Sequence, residues 1–120
     1  MTGYVEDIAN LRIADAEEAG GKGANMGEMV AAKLPVPPGF VVLRYGYLTS
    51  MTVAGLAAEL NSAHRMAIDH AGETGTLTER CQLMQDLVIK AGMDDEVRTE
   101  IIAAYRAMGA NIVVAVRSSA

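Results

Sequence analysis

Gly20-Gly21-Lys22-Gly23-Ala24-Asn25-Met26-Gly27-Glu28-Met29 sets three glycines around one lysine, then turns apolar at helical spacing. Met26, Met29 and Val30 fall at i, i+3 and i+4, which predicts a helix from about Gly23 to Lys33. Glycines let a backbone come close to a ligand and adopt positive φ. The unpaired N–H groups of a helix start carry a partial charge of about +0.5 and favour an anion. Lys22 adds a full positive charge in the same turn. These features together read as a phosphate-binding loop.

Neither standard phosphate motif fits. A Walker loop needs glycine five residues before Gly21 and Ser or Thr after the lysine, where Ala16 and Gly23 stand. A dinucleotide fingerprint counted from Gly21 and Gly23 needs a third glycine where Met26 stands. On spacing alone, a plain turn before an ordinary helix remains an equal reading, because Gly-rich turns are common at element ends.

The flanking sequence changes that balance. Leu34-Pro35-Val36-Pro37-Pro38-Gly39-Phe40 follows the helix, and Val114-Ala115-Val116-Arg117-Ser118-Ser119-Ala120 comes about 75 residues later. With Gly20–Met29, these stretches resemble the start of the ATP-binding domain of the phosphoenolpyruvate synthase and pyruvate phosphate dikinase family, a domain shared by rifampicin phosphotransferase. Ile101-x-x-Ala104-Tyr105 adds to the resemblance, whereas residues 44–90 carry little of it. The resemblance implies an N-terminal subdomain of an ATP-grasp-like nucleotide-binding domain. It implies that residues 1–120 are a single domain and a fragment of a larger multidomain enzyme. It implies ATP and Mg²⁺ as cofactors, with the metal ligands outside this chain and no metal site within it. The implied partners are the downstream half of the ATP-binding domain and a phosphohistidine domain.

By the same match, Lys22 and Arg117 are the phosphate-binding and catalytic cations. Gly20, Gly21, Lys22, Gly23, Asn25, Arg117 and Ser118 are the cofactor-binding set. Two departures stand out. Lys33 occupies the position before Leu-Pro-Val-Pro where the family pattern has glycine, and Leu43-Arg44 replaces two threonines. A glycine would suit a left-handed helix end, so Lys33 either strains or ends the helix differently.

Composition bounds the alternatives. The chain has 120 residues and is 51% hydrophobic, enough for one small domain with a core. Aromatics are scarce, and eight methionines must share the packing. A net charge of −5 without a basic run argues against nucleic acid. The single Cys81 allows no internal disulfide and fits a reducing compartment, hence a cytoplasmic location. No long apolar run suggests a membrane span or a signal peptide.

Read in order, residues 4–13 hold one short strand, and Asp15 with Glu18 forms a weak capping box. Pro35, Pro37 and Pro38 end the glycine-led helix. Phe40-Val41-Val42-Leu43 is a strand, and Tyr45 to Met51 a short helix. Thr52 is placed to cap a helix with Leu56, Leu60, His64 and Ala67 on one face. Thr76 and Glu79 form a capping box ahead of the stripe Leu77, Cys81, Met84, Leu87, Val88 and Ala91, closed by Gly92. Asp94 caps the stripe Val97, Ile101, Ala104, Tyr105 and Met108, closed by Gly109. Ile112-Val113-Val114-Ala115-Val116 is apolar on both faces and reads as a central strand. The expected fold class is α+β: a small mixed sheet of about three strands with four to five helices.

Arg117 follows that strand, and its planar fork of donors suits phosphate oxygens. Ser118 and Ser119 offer hydroxyls beside it. His64 and His70 lack a ligand partner and read as structural. Cys81 and the methionines read as packing. The favoured function is the ATP-binding part of a phosphoenolpyruvate-synthase-like phosphotransferase, which phosphorylates a histidine on another domain and then pyruvate. This chain alone is expected to be inactive. A pyruvate phosphate dikinase or rifampicin phosphotransferase fragment is the nearest alternative. A stand-alone nucleotide- or protein-binding module without catalysis is the alternative from another class.

Overall fold

A computed structural model describes residues 3–119. Five helices and one two-stranded sheet make up the described chain: β1 (Val5–Asp7), α1 (Ala16–Ala31), β2 (Phe40–Val42), α2 (Arg44–Val53), α3 (Ala57–Asp69), α4 (Thr74–Ala91) and α5 (Asp95–Ala107). The chain divides into two compact units, residues 1–47 with 95–120, and residues 48–94. The α+β class and the helix number agree with the sequence reading. The sheet is smaller than expected and antiparallel, with Val5 opposite Val42, Glu6 opposite Val41 and Asp7 opposite Phe40.

The first unit is built on the sheet and α1. Leu11, Ala19 and Leu43 form its buried cluster, with Val41 packed against them. Leu11 is fully buried. Leu43 thus fills a core position where the family pattern carries threonine. The chain enters α1 through two short 3₁₀ turns, Ile8–Asn10 and Ile13–Asp15. Asp15 does not cap α1 with its side chain. Its carboxylate instead accepts from the Arg12 N–H at 2.9 Å, closing the second of those turns. Glu28 reaches back from α1 to accept from the Ile13 N–H at 2.8 Å. At Gly27 a Cβ would overlap the Leu11 carbonyl, so the missing side chain is what lets α1 lie this close to the preceding turn.

α1 ends on a left-handed lysine. Lys33 has φ 62°. Its N–H donates to Val30 (2.9 Å), and the Leu34 N–H donates to Met29 (3.0 Å). These are the two bonds of a Schellman end, normally made around glycine. The departure at Lys33 therefore keeps the helix stop and accepts the strain of a side chain in the left-handed region, about 1 kcal/mol or more.

The second unit holds the helices α3 and α4 with the end of α2. Met51, Leu56 and Leu87 are its buried cluster, backed by Ala57, Leu60 and Ala91. Ala63 and Ala67 complete the buried face of α3, whereas His64 points to solvent. Thr52 caps nothing: its hydroxyl donates to the Leu48 carbonyl within α2, at 2.9 Å. α4 starts at Thr74, one turn ahead of the expected Thr76 capping box, and Gly92 ends it at φ 65°.

The largest difference concerns Ile112–Val116. No strand forms there, and among the described residues nothing pairs with it. Val113 is 95% and Val116 85% exposed. A β-branched run becomes a strand only against a ladder partner, and the described sheet consists of β1 and β2 alone.

Candidate functional site

The glycine turn breaks α1 in two. Gly20 has φ 77° and ψ 156°, a conformation essentially reserved for glycine. Ala16–Ala19 form one helical turn, and a second helical segment begins directly after the break. The expected geometry, a glycine turn feeding a helix start, is present, though a short helix precedes the turn as well. Lys22 lies in the first turn of the second segment and is exposed. Gly21 and Asn25 are exposed nearby, and nothing stands within 4 Å of a Cβ built at Gly21.

The N–H groups at this helix start are not all open to a ligand. The Lys22 N–H donates to the Ser119 carbonyl at 3.1 Å. The Gly23 N–H donates to the Ser119 hydroxyl oxygen at 2.9 Å. The Ser119 hydroxyl proton goes to the Ala19 carbonyl, the last one before the break. One serine thus satisfies donors on one side of the kink and an acceptor on the other, using both capacities of its hydroxyl.

The glycines are shaped for this contact. A Cβ at Gly20 would overlap the Ser119 carbonyl. A Cβ at Gly23 would stand 2.9 Å from the Val41 side chain and 3.0 Å from the Ser119 hydroxyl. Gly20 and Gly23 therefore admit a segment of the same chain. Sequence reasoning named Ser118 for the site, but Ser119 is the residue that meets the turn. Ser118 is exposed, like its neighbour Arg117.

Arg117 precedes Ser119 by two residues, so its Cα lies within roughly 7 Å of that of Ser119. Ser119 in turn is bonded to Lys22. The structure thus brings the Lys22 turn and the Arg117 segment together. Arg117 is exposed, and its Nη1 makes one long contact, 3.4 Å, to the neighbouring Val116 carbonyl. Among the described residues neither Lys22 nor Arg117 has an ion-pair partner. Arg44, by contrast, lies 3.4 Å from Glu18 and 3.7 Å from Glu17 and is engaged.

Surface shape does not single out this turn. An open cavity of about 560 Å³ lies elsewhere in the first unit, lined by Val5, Phe40, Ala104, Met108, Asp7 and Glu100 among others. Glu100 is committed there, accepting from the Tyr4 N–H at 2.6 Å. Among the described residues no group of three or more His, Cys, Asp or Glu is arranged to hold a metal ion. None of their helices is long and apolar enough to cross a membrane. His70, which follows α3, lies 3.0 Å from Glu73, which precedes α4, and both are remote in sequence from the turn.

Comparison with known proteins decides the family. The profile described as "Pyruvate phosphate dikinase, AMP/ATP-binding domain" matches residues 16–120. The chain belongs to this family. Its relatives include a probable phosphoenolpyruvate synthase of Methanothermobacter thermautotrophicus, 33% identical over all of this chain and 18% of that protein. A probable phosphoenolpyruvate synthase of Methanocaldococcus jannaschii is 34% identical over 98% of this chain and 10% of that protein. The phosphoenolpyruvate synthase of Neisseria meningitidis serogroup B is 30% identical over 98% of this chain and 16% of that protein. The chain therefore spans less than a fifth of the length of these relatives. The family is one of AMP/ATP-binding domains, and the matched region contains both the glycine turn and Arg117.

Proposed function

We propose that this chain supplies two of the cations that hold the phosphates of ATP, Lys22 from the glycine turn and Arg117 from the segment bonded to it. The observation that supports the reading is the Ser119 contact, which joins the backbone segments that carry these two exposed residues, neither of which has an ion-pair partner among the described residues. Two positive charges at the surface favour a polyphosphate over a single carboxylate, and the Arg117 fork adds directed donors. The role is positioning and charge neutralisation, the main protein contribution to phosphoryl transfer.

The backbone contribution is smaller than the sequence suggests, because the Lys22 and Gly23 N–H groups are taken. Gly21 and Asn25 remain as exposed neighbours of the phosphates, and Ser118 as a hydroxyl beside Arg117. In this reading the metal that accompanies ATP draws its carboxylates from outside these residues. In a longer protein like these relatives, an ATP-grasp-like domain of this kind would pass a phosphoryl group from ATP to a histidine on another domain, and the phosphohistidine would pass it on to pyruvate. The names of the relatives favour pyruvate over an antibiotic as the final acceptor.

ATP titration of the chain, followed by NMR, tests the reading. Affinity weaker than about 0.1 mM is expected for a site of two cations, equivalent to a binding free energy of about −5.5 kcal/mol. Lys22→Ala is expected to weaken binding several-fold while leaving stability within about 0.5 kcal/mol. Unchanged affinity in Lys22→Ala would sink the assignment. Micromolar, Mg²⁺-dependent binding would instead favour a self-sufficient nucleotide-binding module.

A further inference from the structure

We infer that Ser119 is a positioning residue for the phosphate site: it staples the Arg117 segment to the broken helix so that Arg117 and Lys22 act on one ligand. The inference rests on the phosphate reading of Lys22 and Arg117 and adds to it a residue that binds no ligand.

Three observations carry it. Ser119 is the half-buried end of a segment whose preceding residues, 112–118, are all exposed. It spans the kink, with its hydroxyl between the Gly23 N–H and the Ala19 carbonyl and its own carbonyl on the Lys22 N–H. Gly20 and Gly23 lack the Cβ atoms that would meet it. A helix break whose glycines fit one particular serine is a built contact.

The consequence for Arg117 is entropic. A long exposed side chain on an untethered segment must be ordered when it takes up a phosphate, which costs affinity. With Ser119 in place, part of that ordering is already done. Lys22 and Arg117 then behave as a coupled pair. Without the staple, Lys22 keeps its place in α1, but Arg117 loses its fixed distance from it.

The staple also accounts for the arrangement of donors. Lys22 and Gly23 spend their N–H groups on Ser119. The anion is left to the two side-chain cations. Discrimination should therefore follow charge: inorganic triphosphate should bind better than inorganic phosphate, because it can touch both cations at once.

The experiment is a double-mutant cycle on the full chain with two readouts. The first needs no ligand: amide hydrogen exchange at Lys22 and Gly23. Ser119→Ala is expected to speed exchange at Gly23 by about tenfold or more, because the acceptor is gone, and Ser119→Thr, which keeps the hydroxyl, is expected to retain protection. The second is the affinity for inorganic triphosphate by phosphorus NMR. Arg117→Ala should weaken binding about fivefold in the wild-type background and less than about twofold in Ser119→Ala, the non-additivity of a coupled pair. Gly20→Ala, which crowds Ser119 from the other side, should mimic Ser119→Ala.

If Ser119→Ala leaves Gly23 exchange unchanged, the staple does not exist and the inference is overturned. If exchange accelerates but Arg117→Ala costs the same in both backgrounds, Ser119 is merely structural and the inference is again overturned. If triphosphate binding to the wild-type chain does not depend on Lys22, the phosphate reading itself fails, and the purpose assigned to the staple fails with it. The affinity of Lys22→Ala for triphosphate distinguishes that last outcome from the other two.

Discussion

Phe40-Val41-Val42 and Ile112-Val113-Val114-Ala115-Val116 are close in composition and far apart in structure. The first is a strand paired in register with Val5–Asp7. Val41 packs against the Leu11, Ala19 and Leu43 cluster. The second forms no strand and leaves Val113 almost wholly exposed. It is held at its ends, by the Tyr105 hydroxyl donating to the Ile112 carbonyl at 2.5 Å and by Ser119 at the glycine turn. The difference lies in partners: a strand exists when another backbone takes its N–H and C=O groups and a core takes one of its faces.

The sharpest way to break this comparison is to place a charge in each run. Val41→Asp puts an unpaired carboxylate against the first unit's core and should cost about 3 kcal/mol or more. Val113→Asp changes a side chain already in water and should stay within about 0.5 kcal/mol. Urea unfolding followed by tyrosine fluorescence reports on the right region, since Tyr4, Tyr45, Tyr47 and Tyr105 all lie in the first unit. Equal losses at the two positions would mean that residues 112–116 are packed after all.

A smaller effect is expected where the chain leaves α1 on its way to β2. Lys33→Gly relieves the left-handed lysine at φ 62° and should stabilise the chain by up to about 1 kcal/mol. The matching change before the unpaired run, Asn111→Gly, relieves φ 55° at a residue that tolerates this region better, and should gain only a few tenths of a kcal/mol. The same urea midpoints measure both. A gain at Asn111 as large as that at Lys33 would show that the strain argument ignores the real difference between the two.

The smallest stability effect is expected at the end of the unpaired run. Arg117 has no carboxylate partner among the described residues, so Arg117→Ala should leave the urea midpoint nearly unchanged. A loss above about 1 kcal/mol would identify Arg117 as a structural arginine and count against its role in binding phosphate.

Much of the backbone geometry at the candidate site was legible because its signals are local. The glycines around Lys22 announced a break and a helix start, and both are present. Lys33 left two helix ends open, strained or different, and the structure takes the left-handed one at φ 62°. Helix stripes such as Leu77 to Ala91 and Val97 to Met108 could be read from their 3.6-residue period, and Gly92 and Gly109 marked their ends. The errors at Thr52, Thr76 and Asp15 are also local: each hydroxyl or carboxylate found a backbone partner inside its own turn or helix, or none, instead of the expected cap.

What the sequence determined by itself was the order of the helices and the glycine break ahead of Lys22, because backbone conformation depends on a residue and its near neighbours. Only the tertiary structure decided which apolar run became a strand and what the glycines were for. Val41 found Glu6 across the sheet, and Gly20 found Ser119. Both are contacts between residues far apart in the chain, and no local pattern records which distant backbone will come to take a free N–H group.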